Sequence, residues 1–77
     1  PSLKLFVVGH TDNVGLVAAN LDLSKRRAEA VIQVLISQYK VPAARLSSFG
    51  CGPYSPVASN DKEDGRAANR RVELVKQ

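Results

Sequence analysis

Apolar runs and one long amphipathic segment divide the chain into five predicted elements. Residues 3–8 are mostly apolar and end before Gly9, which predicts a strand covered on both faces. Residues 46–50 and 72–75 form weaker runs of the same kind and predict two more strands. The predicted order is strand, helix, strand, short helix, strand.

A long amphipathic helix is predicted from about Asp22 to Tyr39. When residues are placed at intervals of about 100°, apolar side chains share one broad face and polar side chains fall opposite. Asn20 and Asp22 are both candidate N-caps for this helix. Val41 precedes Pro42, and a residue before proline avoids the helical region, so the helix is expected to end before this pair.

A second, shorter helix is predicted after Asn60. Asn60 and Glu63 have the spacing of a capping box. Acidic residues lie early in this segment and arginines lie late, which complements the dipole of a short helix. Residues 9–15 and 50–56 are rich in glycine, proline and polar residues and predict loops.

Composition narrows the classes of site that the chain can hold. The 77 residues predict a single domain, and the only cysteine, Cys51, excludes an internal disulfide. With one cysteine and one histidine, His10, we predict no metal site and no cofactor. The net charge of +4 fits nucleic acid, an acidic polymer or a membrane surface about equally. No apolar run approaches about 18 residues, so no membrane insertion is predicted.

Arg27 departs from the helical pattern. It lies within the apolar face of the predicted helix, whereas its neighbour Arg26 lies on the polar face. A buried guanidinium keeps its charge and therefore needs hydrogen-bond acceptors. Asp12, in the loop after the first strand, is the nearest carboxylate in topology. That loop and the start of the next helix both lie at the carboxyl end of the sheet, where ligands usually bind.

Two interpretations of Asp12 and Arg27 remain open at this point. In the first, their ion pair only ties the loop to the helix. In the second, both side chains face a ligand. A carboxylate beside a guanidinium would suit a zwitterion, because Asp12 would accept from an ammonium and Arg27 would bind a carboxylate through two hydrogen bonds. Spacing does not decide between them.

Three segments of the chain carry specific motifs. They are residues 9–15 (GHTDNVG), 20–28 (NLDLSKRRA) and 65–73 (GRAANRRVE). In this order and at this spacing they strongly resemble the OmpA-like C-terminal domain, which OmpA-type porins, Pal lipoproteins and MotB-type stator proteins share. The resemblance covers nearly the whole chain.

The resemblance implies an α+β fold, a two-layer sandwich of helices on a mixed sheet, here in the order β-α-β-α-β. It also implies non-covalent binding of peptidoglycan in the periplasm, by the soluble domain of an outer-membrane or other cell-envelope protein. Asp12 and Arg27 match the family residues that grip the diaminopimelate of the stem peptide. The further pocket residues that the resemblance implies are Thr11, Asn20, Arg70 and Arg71.

The chain departs from the family pattern at its start. The family domain normally begins with a further strand and helix, which would lie before Pro1. We therefore expect residues 1–77 to be one OmpA-like domain that is truncated at its N-terminus. An exposed sheet edge and an exposed apolar underside are expected to follow.

The sequence as a whole predicts a binding module and not an enzyme. No nucleophile motif accompanies His10, whose side chain is expected to stabilise the turn after the first strand through a hydrogen bond. No nucleic-acid partner is expected, because the chain has few aromatic residues and no groove-reading motif. The alternative function is a structural domain that mediates homodimerisation. In that alternative, Asp12 and Arg27 form only an internal salt bridge.

Overall fold

A computed structural model describes residues 3–77 of the chain. The order of its main elements confirms the predicted β-α-β-α-β arrangement. The elements are β1 (Leu5–His10), α1 (Val17–Ser37), a 3-10 turn (Ala43–Arg45), β2 (Leu46–Gly52), α2 (Glu63–Asn69) and β3 (Val72–Lys76).

The three strands form a mixed sheet with β1 in the centre. The strand order is β2-β1-β3, where β1 pairs with β2 in parallel and with β3 antiparallel. Val7 pairs with Ser48 on one side and Leu74 on the other, and its side chain is fully buried. Its central position explains why this strand carries the most continuous apolar run in the sequence.

Helix α1 lies very close to one face of this sheet. A Cβ at Gly9 would overlap the backbone carbonyl of Ser24, and a Cβ at Gly50 would lie 2.7 Å from the carbonyl oxygen of Leu21. Gly9 and Gly50 are direct partners in the β1–β2 ladder. Glycine at both positions therefore lets the backbone of α1 approach two strands at once.

Ser24 fills the contact between α1 and β2. Its side chain is fully buried. The hydroxyl donates to the carbonyl of Leu21 at 2.8 Å and accepts from the N–H of Gly52 at 2.9 Å. A small polar side chain thus fits this close contact and satisfies a buried backbone donor.

The opposite face of the sheet carries a second set of apolar side chains. Phe6 and Phe49 meet edge to face, with ring centroids 5.3 Å apart. More than half of the surface of Phe49 is exposed, and Val75 is exposed as well. The sheet is therefore closely packed on its α1 side and open on the other.

The predicted start of α1 is wrong. The helix begins at Val17 rather than near Asp22, its N-cap is Leu16, and no side-chain hydrogen bond caps it. Asn20 lies inside the first helical turn, where its amide donates to the carbonyl of Val14 at 2.9 Å. Polar residues suggested a cap, but the alanines before them favour the helix and extend it toward the N-terminus.

The predicted capping box of α2 is also wrong. The N-cap is Lys62, without a side-chain hydrogen bond. Asn60 instead accepts a hydrogen bond from Asn69 at 2.9 Å through its side-chain oxygen. Asn69, which donates this bond, is the last residue of α2, and local spacing does not reveal such a contact.

Asn69 holds the long segment between β2 and α2 in place. Its side chain is fully buried at the end of α2. Its oxygen accepts from the N–H groups of Val57 and Ala58 at 2.7 and 3.1 Å, and its amide also donates to the Ala58 carbonyl at 2.9 Å. One asparagine thereby replaces the regular backbone pairing that this segment lacks. Within residues 3–77, no helix combines the length and apolar character that crossing a membrane requires.

Candidate ligand-binding site

Asp12 lies directly after β1 and is nearly buried. One carboxylate oxygen accepts from the N–H of Val14 at 3.0 Å, which closes a tight turn. The other accepts from a guanidinium N–H of Arg70 at 2.6 Å. The bond from Arg70, followed by that from Val14, holds the pKa of Asp12 below its usual value. The carboxylate is therefore charged at neutral pH.

Arg70 follows α2 and joins that helix to the Asp12 loop. A second guanidinium nitrogen donates to both carboxylate oxygens of Glu63, at 2.9 and 3.2 Å. The antiparallel pairing of β3 with β1 explains the position of Arg70. Because Gly9 pairs with Val72 and the His10 N–H donates to the Arg71 carbonyl at 2.7 Å, the chain just before β3 runs alongside the end of β1.

Arg27 lines a cavity beside α1 and β3. It is half-buried, in agreement with its predicted position on the apolar face. The cavity has a volume of about 420 Å³ and is lined by Arg27, Ala30, Val31, Arg70, Arg71 and Val72. Its walls therefore combine three guanidinium groups with small aliphatic side chains.

The salt bridge between Asp12 and Arg27, one of the two interpretations left open by the sequence, is not formed. Asp12 pairs with Arg70 instead. Within residues 3–77, Arg27 makes neither an ion pair nor a side-chain hydrogen bond. The bridge that would have explained Arg27 structurally is thus replaced by a contact between residues 58 positions apart, which no local pattern predicts.

Arg71 has a different role from Arg70, although the two are neighbours. Its guanidinium donates to Glu73 at 2.6 Å, to the Ser55 carbonyl at 3.0 Å and, at 3.4 Å, to the Asn69 carbonyl. These bonds connect β3, the segment after β2 and the end of α2. Arg71 therefore lines the cavity while most of its donors serve the fold.

Thr11, in the loop that carries Asp12, and Asn20, in the first turn of α1, are both buried. The Thr11 hydroxyl donates to the Asp12 carbonyl at 2.8 Å, and the Asn20 amide donates to the Val14 carbonyl. Both side chains bind backbone groups on either side of the carboxylate. They fix the conformation of the loop around Asp12.

His10 does not stabilise the turn as predicted. It is the last residue of β1 and only 4% exposed, and neither ring nitrogen has a hydrogen-bond partner among residues 3–77. The nearest acidic oxygen, on Glu73, is 3.7 Å from Nε2, which is too long for a hydrogen bond. Burial, followed by the charge of Arg71, lowers the pKa of His10, and Glu73 acts in the opposite direction. The neutral imidazole is favoured.

Three guanidinium groups and three carboxylates lie around the cavity, but they are not paired one to one. Arg70 is matched by Asp12 and Glu63, and Arg71 is matched by Glu73. Arg27 is left without an anionic partner within the described chain. An unpaired guanidinium over aliphatic side chains can bind a carboxylate, through two parallel hydrogen bonds, on a ligand with an apolar chain.

The family of this chain follows from its sequence. The model of the OmpA family matches residues 1–70. The chain belongs to the OmpA family. This result confirms the resemblance that the motifs at residues 9–15, 20–28 and 65–73 carry.

Relatives of this OmpA-family chain include porins and peptidoglycan-binding proteins. The chain is 51% identical to outer membrane porin F of Pseudomonas aeruginosa over 73 residues, which cover 95% of the chain and 21% of the porin. It is 39% identical to the peptidoglycan-binding protein ArfA of Mycobacterium bovis, over 97% of the chain and 23% of ArfA. The chain thus spans less than a quarter of either protein.

A solved structure agrees closely with this OmpA-family fold. The peptidoglycan-associated lipoprotein of Burkholderia pseudomallei superposes with a TM-score of 0.93 at 38% identity. The match covers the whole chain and 64% of that lipoprotein. The predicted α+β arrangement of helices on a mixed sheet is therefore confirmed.

Proposed function

We propose that this domain binds peptidoglycan without a covalent bond and anchors a cell-envelope protein to the cell wall. The ligand group is the diaminopimelate of the stem peptide, and the domain acts in the periplasm. The names of two relatives, a peptidoglycan-binding protein and a peptidoglycan-associated lipoprotein, support the polymer as the partner.

The observation that carries the proposal is that Arg27 lines the cavity and has no ionic partner among residues 3–77. A stem-peptide carboxylate would supply the anion that Arg27 lacks. Arg70 and Arg71 line the same cavity, but their charges are already matched by Asp12, Glu63 and Glu73. The aliphatic floor formed by Ala30 and Val31 suits the methylene chain of diaminopimelate.

Asp12 provides the opposite charge for a zwitterionic ligand. Its carboxylate is charged and is joined to the cavity wall through Arg70. In the proposed complex Asp12 accepts a hydrogen bond from the diaminopimelate ammonium. Thr11 and Asn20 hold the loop that presents this carboxylate.

The proposed module works by binding alone, without catalysis. Single contacts of this kind are individually modest, because each exchanges hydrogen bonds with water for hydrogen bonds with the ligand. Many copies facing one polymer would hold an envelope protein in place through avidity. The alternative in which Asp12 and Arg27 only bridge each other has lost its supporting contact, because Asp12 pairs with Arg70.

A sedimentation experiment with purified sacculi tests the proposal. Wild-type protein should pellet with the sacculi, and Arg27→Ala and Asp12→Ala should remain mostly in the supernatant. Arg26→Ala is the matched control, because Arg26 is adjacent in sequence but exposed and paired with Asp22 at 2.8 Å. It should pellet like the wild type.

Circular dichroism and thermal unfolding of each variant establish that it is folded before binding is compared. Peptidoglycan binding is excluded if the wild-type chain does not pellet. Equal pelleting of a folded Arg27→Ala variant and the wild type would show that the cavity is not the binding site.

A further inference from the structure

Asp12 is already occupied in the ligand-free protein. One of its oxygens accepts from Val14 and the other from Arg70, and only 11% of its side chain is exposed. A ligand ammonium therefore meets a carboxylate whose charge is matched and whose open side is covered by Arg70. Arg27, in contrast, lines the cavity and has no ion pair or side-chain hydrogen bond to break within residues 3–77.

Arg70 has a second partner that it can keep. Its other terminal nitrogen donates to both oxygens of Glu63, whose side chain is largely exposed. If Arg70 releases Asp12, its charge stays matched by Glu63. The released N–H also remains in the wall of the cavity, where a ligand carboxylate can accept from it.

We propose that Arg70 is an internal occupant of the ammonium subsite at Asp12 and that ligand binding displaces it onto Glu63. This inference rests on the proposed function, because it requires a ligand that carries both a carboxylate and an ammonium. The carboxylate binds Arg27 first, and the ammonium then exchanges with Arg70 at Asp12. Arg70 thus acts as a positioning residue that sets the selectivity for a hydrogen-bonding ammonium.

The consequence is a selectivity that two variants change in opposite directions. Without Arg70, Asp12 is open and an ammonium that donates a hydrogen bond binds more favourably. Without the Glu63 carboxylate, Arg70 has only Asp12 as its partner, so the exchange is less favourable. A residue that merely contacted the ligand would give neither pattern.

The test compares two small probes in NMR titrations of the 77-residue chain. The first probe is meso-diaminopimelate. The second is its analogue with both amino nitrogens trimethylated. This analogue has the same charges but cannot donate a hydrogen bond from nitrogen. The ratio of their dissociation constants isolates the hydrogen bond to Asp12 from long-range electrostatics, which any charge-changing variant also alters.

Arg70→Gln should increase the preference for meso-diaminopimelate by at least about threefold. The reason is that Asp12 can then accept a charge-assisted hydrogen bond from the ligand ammonium without first losing Arg70. Glu63→Gln should reduce the same preference. Arg26→Gln should leave it unchanged, because Arg26 pairs with Asp22 and does not line the cavity. Amide spectra and thermal unfolding of each variant verify that the fold is retained.

Three outcomes contradict the inference, and the third is distinguishable from the other two. If the wild type binds meso-diaminopimelate but Arg70→Gln weakens both probes equally, Arg70 is an ordinary ligand contact. The same conclusion applies if neither variant changes the preference. If the wild type binds neither probe and does not pellet with sacculi, the proposed function itself fails and the inference with it.

Discussion

Two regions of this domain are held together by different kinds of contact. In the β1-α1-β2 layer, glycines at residues 9 and 50 bring backbones together, and a buried serine closes the interface. In the C-terminal region, residues 53–71, side chains of Asn69, Arg70 and Arg71 bind backbone carbonyls and carboxylates. The first region depends on shape and the second on directional hydrogen bonds.

The candidate site lies where the two regions meet. Arg27 comes from the closely packed layer, whereas Arg70 comes from the hydrogen-bonded region. A packed layer gives Arg27 a fixed position, whereas Arg70 has two carboxylate partners and can keep one if a ligand takes the other. The comparison therefore predicts that damage to the first region unfolds the protein and that damage to the second opens it locally.

Gly9→Ala should have the largest effect. The added methyl group would overlap the Ser24 carbonyl, so α1 must move away from β1. We expect a loss of about 3 kcal/mol or more in the free energy of unfolding, at the upper end of overpacking effects. Urea denaturation followed by circular dichroism measures it.

Gly15→Ala is the contrasting control for Gly9→Ala. A Cβ at Gly15 has nothing within 4 Å, and only its φ of 90° disfavours alanine. The expected cost is about 1 kcal/mol. If the two substitutions were equally destabilising, the close approach of α1 to Gly9 would not be important for the stability of the packed layer.

Asn69→Ala should have the next largest effect, and a local one. It removes the hydrogen bonds that Asn69 makes to Val57, Ala58 and Asn60. We expect a loss of about 2 kcal/mol, because water can reach only part of the freed backbone. Hydrogen exchange should show lower protection in residues 53–69 than in β1 and α1.

Asn13→Ala provides the matched control, because Asn13 is exposed and its side chain has no hydrogen bond in the described structure. It should leave stability and exchange nearly unchanged. A uniform rise in exchange throughout Asn69→Ala would instead mean that the two regions unfold as one unit.

Ser24→Ala should have a smaller effect within the packed layer. The backbone N–H of Gly52 loses its acceptor while the packing changes little, so we expect a cost of about 1 kcal/mol. Thermal unfolding measures the change. Ser47→Ala, at an exposed position of β2, should cost less, and an equal cost would argue against a role for the Ser24 hydroxyl.

The smallest expected effect is the pH dependence that His10 contributes. Its pKa is lowered in the folded state, so unfolding takes up a proton below the ordinary histidine pKa of about 6.5. Stability should therefore fall as the pH decreases from 7.5 through 6.5 toward the lower folded-state pKa. Arg71 lowers the pKa of His10 further and Glu73 raises it, so Glu73 alone moderates the fall.

Urea denaturation at several pH values measures this slope. His10→Gln should flatten it between pH 7.5 and 5.5, because His10 is the only histidine of the chain. An unchanged slope in His10→Gln would assign the pH dependence to other groups.

The sequence predicted the elements and the position of Arg27 well, but it predicted the contacts of the charged residues poorly. Periodicity located α1 because burial on one face repeats with the helical turn. The start of α1 was missed, because Asn20 serves a loop carbonyl rather than the helix end. The partner of Asp12 was missed because Arg70 approaches it through strand pairing.

By itself, the sequence determined the order of the elements, the family and the placement of a guanidinium on an apolar helix face. These properties follow from local patterns of polarity and from motifs that are continuous in the chain. Only the tertiary structure decided that Asp12 binds Arg70 and that, within residues 3–77, Arg27 is unpaired and His10 is buried without a partner. The antiparallel pairing of β3 with β1 brings residues 70–73 to the end of β1, and that pairing is a long-range contact.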